Sequence, residues 1–370
     1  MNFEFSDEQQ MLRDQARSYL TQHCPTTLVR RILNNRETHD ANLHNGIAEM
    51  GWTATTIPEE YGGLGMSHLE LVVIAEELGR ACAPVPFSST MYLAAEAIMA
   101  HGSEAQKQAW LPKFADGSAI GCFAMGEAGG RMTVEQLTAS ISDGVINGTK
   151  LPVADGGIAH VAIVVCKSDS GDGATLALVD LSQDAVECDK IQTIDFSRGH
   201  ASLTFNGACA EVLGAEGAGW SAVEALMNRA AVMFAWEQLG IADTALDQAR
   251  EYALGRFAFG RSIASYQAIK HKLAKMYVKN TLARSNAYYG AWALNAGSKD
   301  LDVAAATARV SAIQASLFAA EENIQTHGGM GFTWEFDCQF YYRRAKLLSL
   351  AIGSENQWQG RLVDGLAASA

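Results

Sequence analysis

AHVAIVVCKSDSGDGATLALVD, residues 159–180, is the stretch of sequence that decides the fold. It contains two apolar, β-branched runs, 159–166 and 174–180, separated by a short segment rich in Gly, Asp and Ser. Runs of this composition predict β-strands, and a connection this short leaves no room for a crossover helix. The stretch therefore predicts neighbouring antiparallel strands of a barrel or a sandwich.

The same pattern continues on both sides of this stretch. Ser202–Phe205 is a further strand candidate, and Asp143-Gly144 lies between two strand-like pieces, which is typical of a hairpin turn. Before residue 119 the pattern is helical: Ser6–Gln9 has the form of a capping box, and helices are expected over the ranges that follow. These are Ser67–Arg80, Met91–His101 and a helix capped by Ser103 that ends before Pro112.

The C-terminal part contains long, alanine-rich amphipathic segments. They cover 219–256, 266–297, 300–328 and 336–350, and helices of this length pack as a bundle. We therefore predict an α+β multidomain protein with an N-terminal helical domain (1–118), a middle antiparallel β-barrel-like domain (119–215) and a C-terminal four-helix bundle (216–370). The order of helices, strands and helices argues against a single doubly wound sheet.

Composition and missing motifs exclude several classes of function. The 370 residues are 48% hydrophobic and 19% charged, which is typical of a soluble globular protein, and no apolar stretch approaches the roughly 20 residues that span a membrane. The net charge of -13 without a basic patch argues against nucleic acid as a partner. Nine dispersed histidines predict no metal site, and there is no Rossmann, Walker A or GxSxG motif. Seven scattered cysteines and an acidic N-terminus without a signal peptide predict a cytoplasmic protein with reduced thiols.

Two segments have the composition of a phosphate or nucleotide site. Gln325–Phe332 has three glycines in four positions, which permits close backbone approach to a ligand, although a helix C-cap would explain the same residues. Arg256–Ile263 carries two arginines and a glycine at a helix end, with Gln267 following. Guanidinium groups bind phosphate oxygens bidentately, but an exposed helix end with favourable positive charge is the alternative.

Taken together with four other segments, these two resemble the acyl-CoA dehydrogenases, a family of flavoproteins, almost from end to end. The segments that carry the resemblance are Gly51-Trp52 with Pro58–Ser67, Gly102–Lys107 with Leu111-Pro112, Gly144 with Asn147–Lys150, Arg256–Arg261, Gln267 and Gln325–Phe332.

The resemblance implies α,β-dehydrogenation of an acyl-CoA thioester with FAD as cofactor. A carboxylate would remove the α proton while a hydride leaves Cβ, and electrons would pass to an electron-transferring flavoprotein. It further implies a site built between subunits, in a homo-oligomer or an α2β2 heterotetramer. By resemblance Arg229 would bind substrate, and the residues that would bind the cofactor are Met125, Arg256, Phe259, Gln267, Gln325, Gly328, Gly329 and Ser354.

The sequence departs from the family where the flavin ring and the base are expected. Gly126–Thr133 and Leu151–Ala154 stand in place of the usual ring-contacting segments. The usual catalytic Glu is replaced by Ile352, and the alternative Glu of other members is replaced by Asn228, allowing for an uncertain shift of two residues.

One carboxylate, that of Glu237, remains on the apolar face of the same helix as Asn228. It is either the base or a member of a buried structural ion pair. Glu355 is a poorer candidate for the base. Three hypotheses follow: an active dehydrogenase with a displaced base and a bulky substrate, a base-deficient subunit of a heteromeric dehydrogenase, or a non-catalytic flavin- or acyl-CoA-binding protein.

Overall fold

Helices precede and follow a central group of strands. The structure is a computed structural model that describes residues 5–130, 133–168, 171–217 and 219–368. A π-helix covers Ser88–Ala94. The α-helices are α1 (Asp7–His23), α2 (Thr26–Asn35), α3 (Ala41–Glu49), α4 (His68–Arg80), α5 (Ala95–His101), α6 (Glu104–Ala115), α7 (Gly219–Gly255), α8 (Gln267–Asn295), α9 (Leu301–His327), α10 (Cys338–Leu348) and α11 (Glu355–Ala368).

The strands agree with the predicted β region. Asp143 and Gly144 both have positive φ, 49° and 76°, so the predicted hairpin turn is formed. The strands are β1 (Gly121–Ala124), β2 (Ser140–Ser142), β3 (Val145–Ala154), β4 (Val161–Ser168), β5 (Gly171–Asp180), β6 (Val186–Ile191), β7 (His200–Cys209), β8 (Glu211–Leu213), β9 (Phe257–Ala258) and β10 (Arg261–Ser262).

The predicted α+β class, with helices before and after a central sheet, is confirmed, and two details of the sheet differ from the antiparallel, barrel-like expectation. The eight strands β1–β8 form one sheet in the order β6-β7-β3-β2-β4-β5-β8, with β1 beside β4, and within the described residues this path does not close. β4 also pairs in parallel with both β1 and β2. Along the chain, the β2–β3 hairpin lies between β1 and β4. The connection is therefore long enough for β4 to pair with β1 in the parallel direction. The predicted β4–β5 pair is antiparallel.

The helices predicted from Ser6, Ser67 and Ser103 begin at those caps, whereas the helix predicted over Met91–His101 begins earlier, as the π-helix Ser88–Ala94, and continues as α5. One helix also ends later than predicted. Ser6 and Ser103 form capping boxes with Gln9 and Gln106. α6, however, continues through Pro112 to Ala115, so the predicted end before the proline is wrong. Leu111 and Phe114 beside the proline are fully buried, and we attribute the continuation to this packing, which compensates for the one backbone hydrogen bond that proline removes.

The chain folds into two compact units, each built from separate stretches of sequence. The first comprises the described residues of Met1–Arg31, Ser67–Ala83 and Asn228–Ala370, and the second those of Ile32–Met66 and Pro84–Met227. In the first unit α9 packs against α8, α10 and α11, and α4 packs against α1 and α8. The boundaries of the three predicted domains stay a prediction.

Glycines let α4 and α7 cross in backbone contact. A Cβ on Gly79 would lie 1.9 Å from the carbonyl oxygen of Glu237, and a Cβ on Gly240 would lie 2.0 Å from that of Glu76. Only a residue without a side chain fits at either position. The crossing fixes the middle of α7 inside the first unit.

One helical segment contains a longer apolar stretch than expected from the sequence. Leu301–Phe332, which includes α9, passes the length and composition test for a membrane span with a mean hydropathy of 1.3. The expectation that no stretch approaches this length was therefore wrong. Of its most apolar window, 61% is buried inside the protein, as in the core helix of a bundle.

Candidate active site

α9 ends in an open, glycine-rich turn. Gly328 has φ 61° and ψ -138°, a backbone region that is essentially restricted to glycine. Cβ atoms built on Gly328 and Gly329 would meet no atom within 4 Å, whereas one on Gly331 would lie 2.5 Å from the carbonyl oxygen of Ile324. Gly331 therefore closes the turn onto the helix, while Gly328 and Gly329 leave accessible backbone. The alternative of a C-cap is also realised, because the N–H of Gly328 donates to the carbonyl of Gln325.

The segment after α7 is an exposed β-hairpin. β9 and β10 pair through Phe257↔Ser262 and Ala258↔Arg261, and the two turn residues, Phe259 and Gly260, both have positive φ. Phe259 is 97% exposed at the tip. An aromatic side chain in the left-handed region and in contact with solvent indicates that the hairpin contributes to binding and not to the core.

Stacked rings join the end of α7, which leads into this hairpin, to the end of α9, which leads into the glycine-rich turn. Tyr252, near the end of α7, stacks on His327, the last residue of α9, with ring centroids 4.1 Å apart. Phe336 meets both rings edge-on. Nδ1 of His327 lies 2.8 Å from the carbonyl oxygen of Asn323, and burial lowers the pKa of this imidazole. The sequence analysis missed Tyr252 and Phe336, because their roles depend on where the two helices end.

Polar side chains around the two segments are free to bind a ligand. Arg256, Gln267 and Gln325 are all exposed, and the described part of the chain provides no hydrogen-bond or ion-pair partner for their side chains. Arg256 precedes the hairpin, Gln267 is the first residue of α8, and Gln325 lies in the last turn of α9. A guanidinium without a protein partner and a glycine backbone that ligands can approach closely are both suited to a phosphate.

Met125 follows β1 in the second unit, and a buried ion pair lies directly behind it. Nζ of Lys150 lies 2.6 Å from Oε1 of Glu127 and donates to the carbonyl of Met125 at 3.2 Å. Burial opposes ionisation of Glu127, but hydrogen bonds from Lys150, Thr138 and the Ala139 backbone lower its pKa to about 2. From the sequence, Lys150 and Glu127 were recognised only as motif positions, and their pairing was not predicted. Of the departing loop Gly126–Thr133, Arg131 and Met132 lie outside the described residues.

The turn around Ile352 and Ser354, which the resemblance aligned with the family's catalytic motif, is held by hydrogen bonds to the start of α11. Ser354 forms reciprocal hydrogen bonds with Gln357 at the start of α11, so its hydroxyl is a helix cap. The indole of Trp358 donates to the carbonyl of Ile352 at 3.2 Å. α11 itself was not predicted. Glu355 accepts hydrogen bonds from Gln314 and Gln359, so it is engaged on the helix surface.

The two positions that the sequence resemblance aligned with the family's base, 228 and 352, are both connected to one arginine. Nη2 of Arg361 donates to Oδ1 of Asn228 at 2.7 Å, and its guanidinium lies 4.6 Å from the ring centroid of Trp358, which in turn binds the carbonyl of Ile352. Positions 352 and 228 are therefore joined through α11, although they are far apart in sequence. Neither side chain can accept a proton. Arg229, the predicted substrate ligand, follows Asn228 and is half-buried.

Glu237 lies elsewhere on α7, among buried arginines. Nine residues separate it from Asn228, which is about 13 Å along the helix axis. Its Oε1 lies 3.8 Å from Nη1 of Arg344, and both side chains are buried. Burial lowers the pKa of Arg309 to about 9, and the charge of Glu237 opposes this shift. These contacts favour the structural ion pair that the sequence left open, while the role as base stays a prediction.

The arginines around Glu237 bind helix ends. Arg309 donates to Oε1 of Gln238 and to the carbonyl of Leu348, at the end of α10. Arg344 donates to the carbonyls of Cys82 and Ala83, just after α4. The cluster thus joins α4, α7, α9 and α10. Carbonyls at helix C-termini carry partial negative charge. These carbonyls therefore help Glu237 to compensate the positive charges of the two buried arginines.

Comparison with known proteins identifies the family. Residues 6–118 match the model of the acyl-CoA dehydrogenase N-terminal domain, and residues 217–363 match that of the C-terminal domain. Together these matches cover more than half of the chain. The chain belongs to the acyl-CoA dehydrogenase family. It is accordingly an oxidoreductase.

Individual members of the acyl-CoA dehydrogenase family are similar over most of the chain. The human short-chain specific acyl-CoA dehydrogenase, mitochondrial, is 32% identical over 82% of this chain and 77% of that protein. A variant of the Tcur3481-Tcur3483 steroid ACAD superposes with a TM-score of 0.88 at 28% identity, covering 98% of each chain. The ChsE4-ChsE5 complex from Mycobacterium tuberculosis has a chain with a TM-score of 0.90 at 26% identity, covering 99% of each.

Proposed function

We propose that this chain catalyses FAD-dependent α,β-dehydrogenation of an acyl-CoA thioester to the trans-2-enoyl-CoA. One observation of the structure carries the proposal. Tyr252, one helical turn before Arg256, stacks on His327, the residue before Gly328, so the free guanidinium and the open glycine backbone follow two helix ends that are in contact. These features suit a dinucleotide, because they combine a cation, a glycine backbone open to close approach and exposed aromatic rings.

Each predicted cofactor residue has a part in this proposal. Arg256 would bind the diphosphate, the Gly328-Gly329 backbone and Gln325 would bind the adenylate end, and Phe259 and Gln267 would line the same region. In the second unit Met125 would contact the flavin ring. Ser354 would act through its backbone, because its hydroxyl caps α11. Arg229 would bind the substrate. Bound FAD would supply the acceptor for the hydride that leaves Cβ.

The exposed aromatic residues favour a site that a second chain completes. Phe257 and Phe332 are 67% and 82% exposed, and they flank the hairpin and the glycine-rich turn. Large exposed apolar side chains grouped around a binding segment are typical of an interface. We therefore propose an oligomer, either homomeric or α2β2, that works in the cytoplasm and passes electrons to an electron-transferring flavoprotein.

The substrate proposed here carries a bulky or cyclic acyl group. The similarity to a steroid acyl-CoA dehydrogenase supports this choice by analogy. The test is spectroscopic: the purified chain is expected to show flavin absorbance, and anaerobic addition of its acyl-CoA to bleach it. A panel that runs from butyryl-CoA to steroid-side-chain thioesters distinguishes the substrate class. A colourless protein that takes up no added FAD, alone or with a companion chain, would refute the proposal.

Replacing Arg256 with Met is expected to weaken FAD binding about 10- to 100-fold, because charge-assisted hydrogen bonds to the diphosphate are lost. The matched control is Arg250→Met on the same helix, where the side chain is 57% exposed and pairs with Asp247 at 3.5 Å. Fluorescence titration of the apoprotein with FAD gives both dissociation constants. Equal affinities for the two variants would remove Arg256 from the site.

A second candidate function is a base-deficient subunit of a heteromeric acyl-CoA dehydrogenase. The observation that favours it is the joining of Ile352 and Asn228, two side chains without a basic group, beside Arg361. The partner chain would then supply the competent carboxylate. The similarity to the ChsE4-ChsE5 complex, whose name gives two different chains, supports this arrangement.

Two variants separate this candidate from the first. If only the base is missing, Ile352→Glu should create turnover in the chain purified alone, and Ile352→Gln should not. If the chain alone is fully active with bound flavin as a homodimer, the heteromeric candidate fails. Tight thioester binding with no bleaching in either variant would instead indicate a non-catalytic flavin- or acyl-CoA-binding protein.

A further inference from the structure

We propose that Lys150 is a positioning residue: with Glu127 it fixes the carbonyl of Met125, so that the segment Met125–Glu127 is already in the conformation that receives the flavin ring. The inference rests on the proposed function, because it assigns the ring to this segment. It gives a role to a buried ion pair, which would act through the Met125 carbonyl. All the groups involved lie in the second unit.

The ammonium of Lys150 binds main chain as well as a carboxylate. Its side chain is completely buried on β3, and Nζ lies 3.2 Å from the carbonyl oxygen of Met125 and 2.6 Å from Oε1 of Glu127. Burial lowers the pKa of Lys150, and the hydrogen bond and charge of Glu127 oppose this. Glu127 therefore stabilises the charged form of the buried lysine.

Glu127 is held in turn from the opposite side. Its Oε2 accepts from the backbone N–H of Thr138 at 2.8 Å and from the Thr138 hydroxyl at 2.5 Å, while Oε1 also accepts from the N–H of Ala139 at 3.1 Å. Both carboxylate oxygens are thus bound to donors. The glutamate is an anchor for Lys150 and not a proton acceptor.

The backbone between Met125 and Glu127 is also bound to β3. Leu151 donates its N–H to the carbonyl of Gly126 at 2.9 Å, and a Cβ on Gly126 would lie 2.8 Å from the carbonyl oxygen of Leu151. The lysine side chain and this backbone contact come from adjacent residues of β3. Each binds one of two successive carbonyls, those of Met125 and Gly126.

A role in stability alone does not account for the pair. Replacing a buried ion pair by neutral groups of similar volume is often neutral or stabilising, because two charges no longer have to be removed from water. What neutral groups cannot reproduce is the directed bond from an ammonium to the Met125 carbonyl. The pair is therefore explained by the conformation that it imposes on the flavin-contacting segment.

The test uses the full chain with the paired substitution Lys150→Met and Glu127→Gln, which removes both charges and keeps the volume. We expect this variant to remain folded and to bind FAD at least 10-fold more weakly. In the apoprotein, amide hydrogen exchange at residues 125–127 should become at least 10-fold faster. This second readout does not depend on FAD.

The control is Val179→Ala, a fully buried position of the same sheet on β5. It should lower the thermal midpoint while leaving the affinity for FAD and the exchange at 125–127 unchanged. Unchanged exchange at 125–127 in the paired variant would overturn the positioning role. Faster exchange in a chain whose wild type binds no FAD would leave the positioning of the segment intact and refute the proposed function instead.

Discussion

Gly240→Ala is expected to lower the free energy of unfolding by about 4 kcal/mol or more, because overpacking against rigid backbone is among the costliest single substitutions. The new Cβ would lie 2.0 Å from the carbonyl oxygen of Glu76 and 2.6 Å from the amide nitrogen of Arg80. Neither atom belongs to a flexible side chain, so α4 and α7 have to move apart. Gly79→Ala should have a similar effect, since its Cβ would lie 1.9 Å from the Glu237 carbonyl oxygen.

Gly360→Ala is the matched control for this prediction. Gly360 lies within α11, and a Cβ there would meet no atom within 4 Å. The same chemical change should therefore stabilise the protein by about 0.5–1 kcal/mol through helix propensity. Urea unfolding followed by circular dichroism measures all three variants. If Gly240→Ala is as stable as the wild type, the close crossing of α4 and α7 is wrong.

Glu237→Gln is expected to destabilise the protein by about 3 kcal/mol, because it removes the partner of a buried charge. Arg344 and Arg309 are fully buried, and Glu237 is the carboxylate whose charge acts on both. Turnover per bound flavin, measured below the unfolding temperature, should stay within about threefold of the wild type if the role is structural.

The two roles of Glu237 give opposite results in this experiment. A catalytic base lost to an amide would reduce turnover by about a thousandfold and leave stability nearly unchanged. Glu251→Gln, at an exposed position near the end of α7, should change neither quantity. Anaerobic flavin bleaching and thermal unfolding on the same preparations separate the outcomes.

Local patterns predicted the fold well where each element depends on nearby residues. The four long C-terminal helices, the β4–β5 pair and the Asp143-Gly144 hairpin all have their own periodicity or turn residues. The later end of α6 was missed because it depends on the packing of Leu111 and Phe114 against distant parts of the chain. The parallel pairing of β4 was missed because its neighbours in the sheet are also distant in sequence.

The candidate site could likewise be predicted only where it depends on residues that are close in sequence. Glycines, arginines and glutamines in motif spacing indicated the hairpin and the turn after α9, because flexible backbone and free cations are visible in sequence. The stacking of Tyr252 on His327 and the Lys150–Glu127 pair were not, since each joins residues far apart along the chain. The link between positions 228 and 352 required α11, a helix that the sequence analysis did not propose.

The way the first compact unit is divided along the chain affects how it is made. α1 and α4 leave the ribosome long before α7, the helix that α4 crosses at Gly79. Until then the nascent polypeptide exposes apolar residues of α4, among them Leu71, Val72 and Ile74, that are buried in the native state. Exposed surface of this kind favours aggregation, so synthesis of this protein should depend on chaperones that shield its early helices until translation is nearly complete.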